Sequence, residues 1–421
     1  MQTDPSPRVD VKALRIGLYV HLDVGWMKHP FPFNSFKISS ARQIEVLRGL
    51  GIESLRFSPE KSDPEAMVSE TAPASEADPV PLPATTDPGT ETRTRERESL
   101  RHCEQRFANA GRTFRWLAHE ADRDPARAQR QVETLVGDMI EELEDQQDSC
   151  IRLLSDSMGD RAAQHSVNVM VLSLLLGRTL GMPAHYLGVL GQAALLHDLG
   201  KQQLPDRIRL RQDHFSGSEL RMYRQHVELG VALAQRMALP ADVVQAIAQH
   251  HEMADGSGFP TGCDNAELSD SARIIALVNR YDNLCNPPNP VHAVTPHEAL
   301  SLIFSQLKAR FDGPTLAGFV RLMGVYPPGS VVQLSDRRHA IVTQANNEHP
   351  LRPRLLVHDQ AGGRDRLLRL DLASEPDIDV LRSLHPHQLP QATLQCLSPR
   401  QRVCYYFERG RDPATSHGGG Q

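Results

Sequence analysis

The chain has 421 residues, with 46 lysines and arginines against 52 aspartates and glutamates, for a net charge of −6. Since domains run to roughly 100–200 residues, this length predicts two or three folded units. Nucleic acid and anionic membrane surfaces attract proteins that carry a strong basic excess. The charge balance therefore excludes both as main partners.

The apolar stretches and the cysteines favour a reduced, aqueous compartment. The longest apolar run, Val169–Leu176, is interrupted by Ser173 and is far shorter than the roughly 18–20 residues that span a bilayer. Residues Met1–Val9 have neither the basic start nor the apolar run of a secretory signal. The six cysteines form no CxxC pair. We expect a cytoplasmic protein without a membrane span.

Composition divides the first part of the chain into three segments. Residues 9–60 predict a small α+β domain, with strand-like runs at Leu14–Leu22 and Ser54–Phe57. Residues 61–94 are rich in proline, serine, threonine and acidic residues, which predicts a disordered linker. Residues 95–155 predict a charged helical connector. Its apolar spacing fits either a helix that packs on the next domain or a coiled coil, so a homodimer stays open.

The remainder is first helical and then strand-like, so the fold class is mainly α. Residues 156–323 predict an all-helical bundle, residues 324–408 a small β-rich C-terminal appendage, and residues 409–421 a disordered tail. The expected helices are His165–Gly181, Pro183–Leu196, Ser218–Met237, Pro240–His251, Asp270–Leu284, Pro296–Arg310 and Pro314–Met323. The expected strands are Ser330–Leu334, His339–Thr343 and Leu355–Val357.

Histidines are concentrated in the bundle. Each one alone is more often a satisfied core or surface residue than a ligand. His165 and the pair His197-Asp198 adjoin runs of bulky aliphatic residues, where an unpaired imidazole or carboxylate would cost several kcal/mol. A metal ion would compensate that cost. The candidate ligands are His165, His197, Asp198, His226, His250 and His251, with Asn279 and Asp282 as further positions on a later helix.

The donor types indicate the metal and its chemistry. Nitrogen and carboxylate ligands without thiolates suit iron or manganese better than structural zinc. Two such ions about 3.5–4 Å apart can hold a hydroxide and a phosphate, as in phosphoester hydrolysis. Lys201 lies about one helical turn beyond His197 and could neutralise a phosphate oxygen; the alternative is a solvated surface lysine.

A glycine-containing loop, Asp255-Gly256-Ser257-Gly258-Phe259-Pro260, follows His250-His251-Glu252 directly. Two glycines and a proline permit a tight loop that brings backbone close to a ligand or a metal. By itself the loop would be a plain connection between helices. Its position after two candidate ligands is what favours a functional role.

These motifs, in this order, resemble the HD-GYP domains, a branch of the HD phosphohydrolases. The resemblance covers about Asp156 to Phe319. The first block resembles the small uncharacterised domain that often precedes such domains, and the segment from Gly324-Val325-Tyr326-Pro327 resembles the extension of that subgroup. The motifs are His165-Ser166, Leu195-Leu196-His197-Asp198-Leu199-Gly200-Lys201, His226 with Gly230, and His250 through Pro260.

The resemblance implies a phosphodiesterase that holds iron or manganese and hydrolyses cyclic di-GMP to pGpG, in many members on to GMP, by attack of a metal-bridging hydroxide. Asp198 would bridge the metals and act in catalysis with Lys201, which contacts phosphate. A diguanylate cyclase or another signalling protein is an implied partner. The implied metal ligands are His165, His197, Asp198, His226, His250, His251 and Asn279, and the signature loop contributes Asp255, Gly256, Gly258, Phe259 and Pro260.

Four departures from the family pattern bear on activity. Phe259 replaces the signature tyrosine, and Asn279 replaces an aspartate ligand, which should lower metal affinity. Asn286–Pro290 replaces a segment with arginines for the substrate phosphates. Arg161 stands where members with three metals carry a glutamate, so we expect two divalent ions. The alternatives are an impaired member that acts as a cyclic di-GMP sensor or interaction module, and an HD hydrolase of another nucleotide phosphoester.

Overall fold

The structure, a computed structural model, divides into two compact units, Met1–Thr85 and Thr86–Gln421. In the described part of the chain, no helix is both long and apolar enough to cross a membrane. The residues that the structure describes are 7–22, 35–38, 43–44, 47–48, 54–63, 88–144, 149–154, 160–211, 215–346, 348–360, 366–400 and 402–409. The predicted tail 409–421 lies outside them except for residue 409.

The first unit contains a four-stranded antiparallel sheet in the order β1-β4-β2-β3. Val20, Ile38, Leu47 and Leu55 bury their side chains in its core. Helical residues at 43–44 and 47–48 complete the predicted α+β character. The predicted strand Leu14–Leu22 is shorter than expected, because a turn at Gly17, with φ of +100°, precedes it. The strands are β1 (Arg8–Asp10), β2 (Tyr19–His21), β3 (Ser35–Lys37) and β4 (Ser54–Phe57).

Two helices open the second unit, α1 (Pro88–Glu120) and α2 (Pro125–Glu144). Helix α1 begins inside the stretch predicted as linker, and 64–87 lies outside the described residues. The apolar faces of both helices are buried in the core of the bundle, as the packing alternative predicted. The helical connector expected through residue 155 ends at Glu144, because strand β5 (Ser149–Leu153) follows and pairs with the C-terminal part of the chain.

The predicted helical bundle is confirmed. Helix α3 lies at its centre and is buried over most of its length, and its N-cap Asp160 accepts hydrogen bonds from two backbone amides. The predicted helix Ser218–Met237 is instead two helices, α6 and α7, which meet at Gln225. The helices are α3 (Arg161–Thr179), α4 (Ala184–Leu196), α5 (Asp206–Arg209), α6 (Gly217–Arg224), α7 (His226–Arg236), α8 (Ala241–Gln249), α9 (Asp270–Cys285), α10 (Pro296–Gln306) and α11 (Gly313–Met323).

The C-terminal region is β-rich, as predicted, and joins β5 in a seven-stranded antiparallel sheet. The sequence predicted only the first three strands and missed the rest together with helix α12 (Gln391–Leu397). Strand β11 pairs with β5, and Val403–Phe407 is buried in the core of the helical bundle. The strands are β6 (Val331–Leu334), β7 (His339–Gln344), β8 (Arg354–Asp359), β9 (Arg366–Asp371), β10 (Val380–Leu384) and β11 (Tyr405–Arg409).

Candidate metal centre

The candidate ligands lie at helix ends around the buried middle of α3. His165 lies in α3, and the pair His197-Asp198 lies where α4 ends and a 3-10 turn, Leu199–Gln203, begins. His226 is the first residue of α7, and His250 caps the C-terminus of α8. All of these but His251 are buried. The fold therefore brings together the five histidines and the aspartate that the sequence predicted.

The two carboxylate oxygens of Asp198 face different histidines. Oδ2 lies 3.5 Å from Nε2 of His165 and 3.5 Å from Nε2 of His197. Oδ1 lies 3.5 Å from Nε2 of His226 and 3.7 Å from Nε2 of His250. His251 joins the second set, with its Nε2 3.1 Å from Nε2 of His226. Asp198 therefore belongs to two groups of donor atoms, each compact enough for one metal ion.

Backbone carbonyls fix which ring nitrogen faces the centre. A carbonyl oxygen can only accept, so the Nδ1 atom that contacts it carries the hydrogen and leaves a lone pair on Nε2. Three of the histidines are held in this way. His197 Nδ1 donates to Ala194 over 2.8 Å, His226 Nδ1 to Tyr223 over 2.6 Å, and His250 Nδ1 to Ile247 over 2.6 Å.

The resulting arrangement fits a cation. Asp198 Oδ1 is buried and accepts no hydrogen bond from the described residues. Nε2 of His226 and Nε2 of His250, both with outward lone pairs, are 3.4 Å apart. Facing lone pairs and an unsatisfied buried carboxylate oxygen are costly unless a positive charge lies between them. Imidazole and carboxylate donors without thiolates suit a borderline or hard divalent metal.

The charges of the centre are set by burial and by Lys201. Burial alone raises the pKa of Asp198, but Lys201 and His197 outweigh it and hold that pKa well below its usual value. Burial lowers the pKa of His197 and of His251, and it lowers the pKa of His226 to about 3. These imidazoles are neutral at pH 7, which is the form that binds metals. Burial also opposes protonation of His165, but Asp198 and Asp282 raise its pKa overall.

Lys201 lies at the edge of the centre. Its ammonium donates to Oδ2 of Asp198 and lies 5.1 Å from the ring centroid of Tyr223. The side chain is 21% exposed, so it reaches solvent on one side and the carboxylate on the other. Sequence reasoning identified the lysine but missed Tyr223, because no spacing rule connects an aromatic residue in α6 to this turn.

The glycine-containing loop lies against His251. The ring of Phe259 stacks on the His251 imidazole, with centroids 4.4 Å apart and planes at 22°. Gly258 is needed here, because a Cβ at that position would lie 2.4 Å from Cα of Glu252. Buried Glu252 holds the base of the loop by accepting hydrogen bonds from Thr261 and Gly262.

The other predicted loop residues point elsewhere. Asp255 is exposed, and its Oδ1 accepts from the backbone and side chain of Ser257. Gly256 has a φ of +74°, and Pro260 is exposed. Within the described chain, the contact with the histidines is made by Phe259. The guanidinium of Arg224, which the sequence did not indicate, covers the same ring at 4.7 Å from its centroid.

Helix α9 contributes to the centre through Asp282. Oδ2 of Asp282 is 2.6 Å from Nδ1 of His165, and the residue is fully buried. Asn279 is also buried, but its Oδ1 accepts from the side chain of Asn283 over 2.5 Å. Among the described residues, the side-chain hydrogen bond of Asn279 is with Asn283 and not with the histidines. From the sequence, Asp282 is only a further candidate position on this helix, because the family pattern has its metal ligand at the position of Asn279.

A glycine fixes the distance between two of the ligand-bearing segments. Gly200 lies in the 3-10 turn after Asp198 and packs against the start of α7. A Cβ at this position would lie 2.1 Å from the carbonyl oxygen of His226 and 2.4 Å from the amide nitrogen of Gly230. Only glycine permits this approach, so it sets how closely His226 can lie to Asp198.

Comparison with known families agrees with this geometry. The HD domain family matches residues 129–315. This part of the chain is therefore similar to HD domains. A domain of unknown function, DUF3391, matches residues 6–148 and so precedes and overlaps the HD domain. Both parts of the predicted family resemblance are confirmed.

Relatives of this chain are named as phosphodiesterases. A cyclic di-GMP phosphodiesterase of Pseudomonas aeruginosa is 28% identical over 83% of this chain and 84% of its own. The cyclic di-GMP phosphodiesterase response regulator RpfG of Xanthomonas campestris is 29% identical over 33% of this chain and 37% of its own. A 3'3'-cGAMP-specific phosphodiesterase of Vibrio cholerae is 27% identical over 41% and 37%. This chain thus spans under half of the last two.

Among solved structures, an HDG"Y"P protein from Bdellovibrio bacteriovorus aligns with 74% of this chain and 97% of its own chain. The TM-score is 0.42 and the sequence identity is 14%.

Proposed function

We propose that the protein is a metal-dependent phosphodiesterase that hydrolyses cyclic di-GMP to pGpG. One observation carries the proposal: each oxygen of Asp198 faces its own set of imidazole nitrogens. A carboxylate in that position is suited to bridge two divalent ions, iron or manganese by donor type. His165, His197 and Asp198 would hold one ion, and Asp198, His226, His250 and His251 the other.

Two such ions, when bound, supply Lewis acidity and an activated water for phosphoester hydrolysis. Side chains of the protein would bind and orient the substrate. Lys201 is charged at neutral pH, since Asp198 raises its pKa despite burial. Its partly exposed ammonium can donate to a phosphate oxygen while it stays beside the bridging carboxylate.

The loop residue Phe259 and its neighbour Arg224 fit a role in substrate binding. Phe259 lies over His251 and presents an aromatic ring beside the centre. Arg224 is exposed, and its positively charged guanidinium lies 4.7 Å from the centroid of that ring. A cyclic dinucleotide offers flat bases and two anionic phosphates, which suit an aromatic ring and a guanidinium respectively.

The choice of cyclic di-GMP as substrate is supported by the names of the relatives, among which that of Pseudomonas aeruginosa aligns over most of both chains. Relatives that act on 3'3'-cGAMP make a mixed cyclic dinucleotide the first competitor to compare. Cyclic di-GMP and 3'3'-cGAMP differ in one base, so discrimination between these substrates would depend on contacts with that base and not on the metal centre.

The test is hydrolysis by the full chain, purified without metal and loaded anaerobically with Fe(II) or Mn(II). We expect cyclic di-GMP to be converted to pGpG, detected by chromatography, and 3'3'-cGAMP to be cleaved more slowly. Asp198→Asn should remove activity, whereas Asp206→Asn, a change in an exposed aspartate of α5, should not. Equal rates on both cyclic dinucleotides and on a simple phosphodiester would contradict the assignment of substrate.

Asn279 favours a second candidate function, a cyclic di-GMP sensor with impaired turnover. Its amide oxygen is neutral and is engaged with Asn283, so it offers the metals no negative charge. A loaded protein that binds cyclic di-GMP by calorimetry but releases no pGpG would establish this second function in place of the first.

A further inference from the structure

The C-terminal segment Val403–Tyr405 is held by asparagines that also contact the metal centre. Asn168 lies in α3, Asn286 follows α9, and both are buried. Nδ2 of Asn168 donates to the carbonyl oxygen of Val403 over 2.9 Å, and Nδ2 of Asn286 donates to the same oxygen over 3.0 Å. In return, Asn286 Oδ1 accepts from Val403 N over 2.9 Å, and Asn168 Oδ1 accepts from Tyr405 N over 3.0 Å.

The same two amide groups bind Asp282. Nδ2 of Asn168 lies 2.8 Å from Oδ1 of Asp282, and Nδ2 of Asn286 lies 2.9 Å from it. An amide NH₂ group has two hydrogens, so each asparagine gives one to the Val403 carbonyl and one to the Asp282 carboxylate. With the amide oxygens also occupied, neither side chain can rotate without leaving a buried polar group unpaired.

This arrangement leaves the other oxygen of Asp282 for His165. Oδ1 is occupied by the two amides, and Oδ2 lies 2.6 Å from His165 Nδ1. A carboxylate that accepts from Nδ1 places the lone pair of His165 on Nε2, which faces Asp198 at 3.5 Å. The backbone of Val403 is thus three hydrogen bonds from the proposed metal ligand His165, through either asparagine and then Asp282.

We propose that the backbone of Val403–Tyr405 is a positioning element of the metal centre, acting through Asn168 and Asn286 on Asp282 and so on His165. The inference rests on the proposed function, since it assigns a role in metal binding to residues outside the ligand set. It makes the C-terminal segment a part of the catalytic domain. Asn168 and Asn286 are positioning residues, because their hydrogen bonds go to Asp282 and to the backbone.

The experiment measures Mn(II) affinity of the full chain from the signal of the free ion in electron paramagnetic resonance. The variants are Asn168→Ala and Asn286→Ala. Ser173→Ala is the matched control, because Ser173 is a buried polar residue of α3 whose hydroxyl has no hydrogen-bond partner among the described residues. We expect the asparagine variants to bind Mn(II) about 10-fold more weakly, as for other partners of metal-bound histidines. The control should bind it like the wild type.

A double-mutant cycle with Asp282→Asn separates positioning from general loss of stability. If Asn286 acts through Asp282, its substitution should cost little further affinity once Asp282 is changed. Additive losses would overturn the proposal, as would a control that loses as much affinity as the asparagine variants. If Asn286→Ala fails to fold, Asn168→Ala completes the same cycle through the other amide.

The two proposals fail in different ways. A wild-type chain that binds no divalent ion would overturn the proposed function and the positioning role together. A wild-type chain that binds Mn(II), with asparagine variants that bind it equally well, would overturn only the positioning role.

Discussion

The ring of Phe259 stacks on the imidazole of His251, with centroids 4.4 Å apart. A phenol ring at this position would stack in the same way, so the loss of the family's hydroxyl leaves the contact in place. The guanidinium of Arg224 lies over the same ring. Phe259 therefore contacts both the exposed Arg224 and His251, which belongs to the second proposed set of metal ligands.

We predict that Phe259→Tyr leaves kcat and KM for cyclic di-GMP near those of the wild type, whereas Phe259→Ala raises KM. Aromatic pairs are worth about 1 kcal/mol beyond burial, which corresponds to a change of about fivefold. Steady-state kinetics of the Mn(II)-loaded chain measure this. Phe304→Ala, in an exposed aromatic residue of α10, is the control and should change neither constant. An unchanged KM in Phe259→Ala would exclude the ring from substrate binding.

We predict that Asp198→Asn abolishes tight binding of both ions at once. The change keeps the shape of the side chain but removes the charge that two sets of imidazoles share. Affinity for Mn(II) should fall about 100-fold, since the ions lose their common anionic ligand. Metal content after dialysis measures the loss. Asp206→Asn is the control, because it removes the same single negative charge from an exposed residue. Retention of one tightly bound ion would mean that Asp198 does not bridge.

We predict that Asn279→Asp tightens metal binding. A carboxylate at this position restores the negative charge of the family pattern, in a buried residue where it is poorly screened. The expected gain in Mn(II) affinity is about 10-fold. Asn289→Asp makes the same chemical change at the partly exposed N-cap of a 3-10 turn and should have no effect. If Asn279→Asp binds no more tightly, Asn279 lies outside the ligand set.

We predict that Gly200→Ala unfolds or strongly destabilises the helical bundle, because its Cβ would overlap backbone atoms of α7. The cost should exceed about 3 kcal/mol, since the backbone on both sides must shift. Gly188→Ala in α4 is the matched control, because among the described residues no atom beyond its chain neighbours and its own helix backbone lies within 4 Å of the added Cβ. That change should be neutral or stabilise the helix by up to about 1 kcal/mol. Chemical denaturation of the two variants compares them directly.

We predict that the metal-free protein loses stability as the pH falls below 6.5. Burial lowers the pKa of His226 from its ordinary value of 6.5 to about 3 in the folded chain. Between these pH values, His226 is therefore protonated in the unfolded chain and neutral in the folded chain. Stability then falls by about 1 kcal/mol per pH unit for each such histidine between these values. His197 and His251 act in the same direction and His165 in the opposite one. Melting temperatures in EDTA from pH 7.5 to 5 test this. His226→Asn should flatten the dependence.

Sequence reasoning predicted the helical bundle, and it selected histidines that the fold brings together, for a physical reason. Buried helices such as α3 have continuous apolar runs, and imidazoles inside such runs stand out because they need a partner. The break at Gln225 was missed, since the apolar period continues across it from α6 to α7. That break matters for the site, because it makes His226 the first residue of a helix and frees its Nδ1 to bind Tyr223.

The contribution of the C-terminal segment could not be predicted from the sequence. Asn168 and Val403 are 235 residues apart, and neither a single asparagine nor a backbone carbonyl has a recognisable pattern. Strand β5 was missed for a similar reason, because it is short and its partner β11 lies at the other end of the bundle's sequence. The hydrophobic period of a short segment indicates which of its side chains are buried, whereas the partner of a strand in a sheet is determined by the whole fold.

The bonds from Asn168 and Asn286 to Val403 also have a consequence for how the protein is made. The ribosome produces all six proposed histidine and aspartate ligands before it reaches residue 403. A nascent chain can therefore bring its ligand histidines together before the backbone of Val403, which is proposed to position Asp282, has been synthesised. Full affinity for the ions would then arise only after translation of β11, so a chain released early would be a poor competitor for cellular iron or manganese.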